Sequence, residues 1–191
     1  MKLIFCLGNP GIEYRKNRHN IGFMIADSLL SYKSPLHTGS KFKSDFMVMD
    51  FGQECIVIKP QTFMNNSGTS VIRFYNKYHP LIEDILVVHD ELDLPKFSIR
   101  FKLGGSSGGH HGVQSIIDYL GRDDFARLRV GIGRPPGKKD PIEFVLENFN
   151  RDELDELNEV TKLAALAVEV WVNEGNQSAM NRFNCLKIVD A

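Results

Sequence analysis

Short apolar runs alternating with segments of helical period restrict this 191-residue chain more than any other feature of it. Lys2–Leu7 alternates loosely and ends in the turn Gly8-Asn9-Pro10-Gly11. Ile85–Val88 is a compact apolar run that suits a strand buried on both faces. Between them, Ile21, Met24, Ile25 and Leu29 fall at helical spacing. So do Val71, Tyr75 and Tyr78 in a helix starting near Asn65–Ser67, and Val113, Ile116, Ile117 and Leu120 after a glycine-rich loop. Phe46–Met49 and Cys55–Ile58 read as paired strands about Gly52, and Phe97–Leu103 and Phe125–Ile132 as further strands. Leu154, Leu157, Val160, Ala164, Ala167 and Trp171 form the stripe of a C-terminal helix. Strands mixed with helices predict an α/β fold: one domain over residues 1–191, with a central, mixed, twisted sheet flanked by helices.

No apolar run approaches the ~20 residues that cross a bilayer, and the N-terminal run is too short for a signal peptide. The three cysteines, odd in number and far apart, fit a reducing cytoplasm and lack metal-ligand spacing. The net charge of −1 is unevenly spread. Residues 96–139 carry 9 basic and 3 acidic side chains, and residues 140–191 carry 4 and 11. Such a field steers a polyanion to one face. The plain alternative is a solvated surface with uneven charge.

"GGHHG" (108–112) places two imidazoles where the backbone is most permissive. A polar turn explains it at little cost; an active site explains it better if other polar groups converge there. Such groups gather where the predicted strands end: Asn9, His19 and Asn20, Asn65 and Asn66, the run His89-Asp90-Glu91 with Asp93, and His110 with His111. If the strands are parallel, these segments share the crevice beyond their carboxyl ends. His19 opens a predicted helix, where the dipole is expected to lower an imidazole pKa and keep a neutral base. Asp90 suits the acid that fixes a histidine tautomer. The structural alternatives are a helix-start polar residue, a turn-forming Asp and, for Asn9 and Asn65, Asx-turns. There is no phosphate-binding G-x-x-x-x-G-K-[ST], no dinucleotide fingerprint and no nucleophile elbow. "HDELD" offers carboxylates to a hard cation, but no other segment has matching ligand spacing.

Five segments in order, "LGNPGIEYRKNRHNIGF" (7–23), "KPQTFMNNSG" (59–68), "VVHDELDLP" (87–95), "KLGGSSGGHHG" (102–112) and "RLRVGIGRP" (127–135), together resemble the bacterial peptidyl-tRNA hydrolases over nearly the whole chain. The resemblance implies a cytoplasmic, monomeric hydrolase that frees tRNA from prematurely released peptidyl-tRNA, with no metal, no cofactor and no membrane partner. It implies that His19 is the base that activates water, Asp90 its orienting partner, and Asn65 a donor to the water or the oxyanion. Asn9 and Tyr14 are then expected to hold the end of the tRNA, and Met64, His110 and His111 to line the peptide and water sites. Lys102, Arg129 and Arg134 are expected to contact tRNA phosphates. The chain departs from the family pattern at His111, where the pattern has Asn, at Phe97, usually Gly, and at Asn17, usually Thr or Ser. A non-catalytic RNA-binding protein on the same fold is the competing reading. The lost amide at 111 favours it; the retained His19, Asp90, Asn9 and Asn65 oppose it.

Overall fold

A computed structural model describes residues 1–185. Seven strands, β1 (Lys2–Cys6), β2 (His37–Lys41), β3 (Ser44–Asp50), β4 (Glu54–Pro60), β5 (Ile85–Glu91), β6 (Ile99–Leu103) and β7 (Ala126–Gly131), form one sheet in the order β2-β3-β4-β1-β5-β7-β6. The central four, β4-β1-β5-β7, run parallel. β3 joins β4, β2 joins β3, and β6 joins β7 in antiparallel fashion. The sheet is therefore mixed, as the sequence predicts.

The two-residue period of β1 divides the core. Ile4 and Cys6 face an apolar layer built with α1 (Ile21–Tyr32) and α5 (Leu154–Phe183). Leu3 and Phe5 face a second layer built with α2 (Ser67–Tyr78) and α3 (His111–Leu120). Burial on both faces explains why the strand carries no polar residue from Leu3 to Leu7. The chain leaves β1 through α1, reaches β4 on one side by way of the β2–β3 hairpin, and returns through α2 to β5 on the other side. The order reverses at β1, so the loops after β1, β4 and β5 open onto a common crevice, the expected place for a ligand site.

α1 lies close enough to define that crevice only because residue 22 is glycine. A Cβ there would stand 2.6 Å from Leu7 N and 2.8 Å from Val88 O.

Three expectations need correction. β2, "HTGSK", escapes the sequence pattern because it is a short, polar edge strand with no apolar face to bury. The strand expected at Phe97–Leu103 begins at Ile99: Phe97 adopts φ 61°, and its N–H donates to Gly131 O at 2.9 Å, so it closes a turn. The stripe of α5 buries Val160, Ala164, Ala167 and Trp171, whereas Leu154 stays 50 % exposed at the first turn. A short helix, α4 (Pro141–Val145), starts with its Pro at the first position and Asp140 capping it.

Candidate active site

The carboxylate of Asp90, near the end of β5, is buried and forms the centre of the site. His19 Nδ1 lies 2.8 Å from Asp90 Oδ1 and 3.0 Å from Oδ2, and His110 Nε2 lies 2.9 Å from Oδ1. A carboxylate only accepts, so both ring nitrogens donate. The second nitrogen of His110 accepts the Val113 N–H at 3.2 Å, which makes His110 the side-chain cap of α3 and assigns it the Nε2–H tautomer. His19 Nε2 has no protein partner among the described residues.

Burial alone would push the His19 pKa down. The charge of Asp90 and the hydrogen bond between them outweigh it and raise the pKa above the ordinary imidazole value. The helix-dipole expectation is thereby overturned. His19 sits in a 3-10 turn (Arg18–Asn20) ahead of α1, and the carboxylate governs its charge. Burial also works to raise the Asp90 pKa, but His19 and His110 beside it hold the carboxyl well below its usual range. A fourth group completes the cluster. His89 is fully buried and its Nδ1–H donates to the Asp90 carbonyl at 2.6 Å. Burial, then the neighbouring His110, keeps its pKa well below 6.5. The His110 ring lies 4.9 Å from that of His19 and 4.7 Å from that of His89.

Asn9 joins the other wall. Its Oδ1 accepts the Met64 N–H at 2.8 Å, and its backbone exchanges two bonds of 2.9 Å with the side chain of Asn20. This ties the loop after β1 to the loop after β4 and leaves the Asn9 Nδ2 donor without a protein partner among the described residues. The thioether of Met64 is buried and lies beneath Gly112, so it forms floor and core more than groove wall. Tyr14 packs edge-on against the exposed Phe63, with ring centroids 6.2 Å apart. The side chain of Asn65 is exposed, its Oδ1 3.4 Å from the amide of Asn66, and His111, the first residue of α3, is exposed.

The three basic residues fare unequally. Lys102 is exposed on β6 and makes no ion pair among the described residues. Arg129 is partly buried with Nε 2.9 Å from Glu91 Oε2, and Arg134 is paired with Asp93. Arg127 serves the loop instead. Its guanidinium donates to the carbonyls of Gly105, Ser106 (2.7 Å) and Asp123 (3.2 Å), pinning the stem of the glycine-rich segment.

His19, Asp90 and His110 are also the one group with metal-ligating atoms close together among the described residues, within 4.8 Å of one another. Those atoms are already engaged in N–H···O bonds, which a cation would have to displace. Cys6 offers no nucleophile, because burial pushes its thiol up to about 12. The arrangement is a buried histidine–carboxylate pair with one open ring nitrogen, able to take a proton from water. Sequence reasoning gathered His89 and Asn20 at the strand ends but gave them no role, and it left out Arg127, which no local pattern marks.

A family profile described as Peptidyl-tRNA hydrolase matches residues 3–190. The peptidyl-tRNA hydrolase of Syntrophotalea carbinolica is 43% identical over 194 residues, covering 96% of this chain and 97% of its own. That of Pseudothermotoga lettingae is 43% identical, covering 99% and 100%. The crystal structure of peptidyl-tRNA hydrolase from Acinetobacter baumannii superposes with a TM-score of 0.90 at 34% identity, covering 98% of this chain and 96% of that one.

Proposed function

The chain belongs to the peptidyl-tRNA hydrolase family, and from that premise we propose that His19 and Asp90 carry out its reaction. The protein hydrolyses the ester joining a peptide to the terminal ribose of tRNA. In this reading a water molecule sits against His19 Nε2. As it attacks the ester carbonyl, its proton passes to Nε2. Asp90 holds the ring by Nδ1 and stabilises the imidazolium that forms. The proton then goes to the ribose oxygen as the ester C–O bond breaks, giving a free peptide acid and a tRNA hydroxyl. The step needs no covalent enzyme intermediate.

The observation that carries the reading is the 2.8 Å contact from His19 Nδ1 to a buried Asp90, with Nε2 left open. His110 supports it as a second donor that keeps Asp90 in place. Asn9 Nδ2 is assigned to an acceptor on the substrate near the tRNA end, where Tyr14 supplies a ring face. Asn65 as oxyanion or water donor, Met64 at the peptide site and His111 at the water site rest on the resemblance. Lys102 is the first candidate for a phosphate contact, while Arg129 and Arg134 must first leave their acidic partners. The reading extends to a cytoplasmic monomer. Among the described residues no helix is long and apolar enough to cross a membrane.

A blocked aminoacyl group offers the Asn9 donor an amide carbonyl. A free one carries an ammonium, which donates and is charged. N-acetylaminoacyl-tRNA is therefore expected to be cleaved and the unblocked form spared. Equal cleavage of both would contradict this assignment, and cleavage of neither would favour a non-catalytic RNA-binding role.

A further inference from the structure

Arg18 precedes His19 in the same three-residue turn, and its side chain is only 5 % exposed. Burying a guanidinium is costly unless its donors are met. Here one nitrogen is met: Nη2 donates to Glu153 at 2.9 and 3.3 Å, whereas Nε and Nη1 are buried without a partner. The guanidinium lies over the rings of Phe144 and Phe149, its carbon 4.8 Å from each centroid. Glu153 also accepts from Lys96 Nζ at 2.6 Å and from the Asn150 N–H at 2.7 Å. The backbone repeats the attachment. Arg18 N–H donates to Glu147 O at 2.9 Å, Phe149 N–H donates to Lys16 O at 3.2 Å, and Asn17 bridges Asn148.

Stability alone is poorly served by this arrangement. An apolar side chain against the two phenyl rings avoids the desolvation and leaves no donor unmet. What arginine adds is orientation. Stacking fixes the plane of the guanidinium, and the carboxylate fixes its direction within that plane. With backbone and side chain of residue 18 both held, the chain entering His19 is fixed by contacts separate from those of Asp90. Asp90 grips His19 at one ring nitrogen and Asn20 ties the following residue to Asn9, so Arg18 holds the preceding one.

We propose that Arg18, held by Glu153 and the Phe144–Phe149 pair, is a positioning residue that sets the reach of His19 Nε2 to the attacking water. The proposal rests on reading His19 as the base.

The test compares Arg18→Met, Arg18→Lys and Glu153→Gln. Arg18→Met keeps a long stem against the rings without plane or charge, Arg18→Lys keeps the charge, and Glu153→Gln keeps the shape. Two quantities are measured: kcat and KM on N-acetylaminoacyl-tRNA, and the proton resonance of His19 Nδ1–H in the free protein. A misplacement on the order of 1 Å costs about 10²-fold in rate. Arg18→Met and Glu153→Gln should therefore lose at least about tenfold in kcat with KM within about twofold, and the resonance should shift or broaden. Arg18→Lys should recover part of the rate. Folded Arg18→Met with wild-type kcat, or with its whole loss in KM and the resonance unmoved, would overturn the proposal. If Arg18→Met does not fold, Glu153→Gln and Lys96→Met decide it, the latter removing only the exposed arm of the cluster. Unchanged kcat in both overturns it. Near-normal turnover by His19→Ala would instead remove the base assignment, whatever Arg18 does. An inactive His19→Ala beside a fully active Arg18→Met would remove the positioning role alone.

Discussion

Replacing Asp90 with Asn separates charge from shape in the catalytic cluster. In the native site Asp90 Oδ1 accepts from His19 at 2.8 Å and His110 at 2.9 Å, and Oδ2 accepts from His19 at 3.0 Å. An amide retains one acceptor. With its oxygen in the Oδ1 place, both histidines keep that acceptor, and the NH₂ stands where Oδ2 was, 3.0 Å from His19 Nδ1. With the amide reversed, its NH₂ faces the N–H groups of both His19 and His110 at the Oδ1 place, donor against donor, and only the longer His19 contact keeps an acceptor. In every orientation the charge is lost. Two unit charges ~4 Å apart interact by ~4 kcal/mol at an effective dielectric of 20, so the imidazolium formed during attack loses up to about three decades of rate. The expected kcat is about 10³-fold below wild type. The pH dependence moves as well. In the native protein Asp90 outweighs burial and raises the His19 pKa, so the acid limb of the rate should lie above the ordinary ~6.5. In Asp90→Asn burial prevails, and the limb should move to lower pH. The assay is kcat on saturating N-acetylaminoacyl-tRNA from about pH 5 to 9. A variant within about tenfold of wild type, with its acid limb unmoved, would mean that the charge of Asp90 does not act through His19.

Other outcomes follow from the same contacts. Gly22→Ala gains up to ~1 kcal/mol of helix propensity but drives a Cβ into the backbone of Leu7, just past β1, and of Val88 in β5, where overpacking costs ~1–3 kcal/mol. Because backbone cannot repack, denaturant unfolding should show a net loss of about 2 kcal/mol; a neutral or stabilised variant would contradict the close approach. Lys102→Ala should lower the salt slope of tRNA binding by about 0.9, one phosphate contact. Arg129→Ala should lower it less, because Glu91 already balances that charge. Equal slopes for wild type and Lys102→Ala would make the basic strand a solvated surface.

Those elements that bury a face were legible in the sequence. β1 and β5 show as apolar runs, and α1, α2 and α3 as helical stripes, because each must exclude water on a fixed period. The parallel centre of the sheet then brings Asn9, His19 and Asp90 together at strand ends. What stayed hidden depends on distant partners or on backbone angle. Arg18 lies in "YRKNRHN", a string that reads as surface. It is buried by Phe144, Phe149 and Glu153, more than a hundred residues away, and no local period marks that. Phe97 reads as strand by its apolar side chain, yet its φ of 61° follows from the turn that joins it to Gly131. Arg129 and Arg134 read as free cations because their partners, Glu91 and Asp93, belong to another segment. The exposure of Asn65 and His111 is likewise set by the orientation of the turns that carry them.

If one open nitrogen of His19, backed by Asp90, takes the proton from water, then removing the ring must stop the chemistry and spare the binding. Single-turnover cleavage of N-acetylaminoacyl-tRNA by His19→Ala, with tRNA affinity measured on the same preparation, reads both at once. General-base catalysis contributes ~10²–10⁴ in rate, and phosphate contacts supply much of the affinity for nucleic acid. The rate should fall by that factor, with affinity within a few-fold of wild type. Near-normal cleavage by His19→Ala would contradict the assignment and place the base elsewhere.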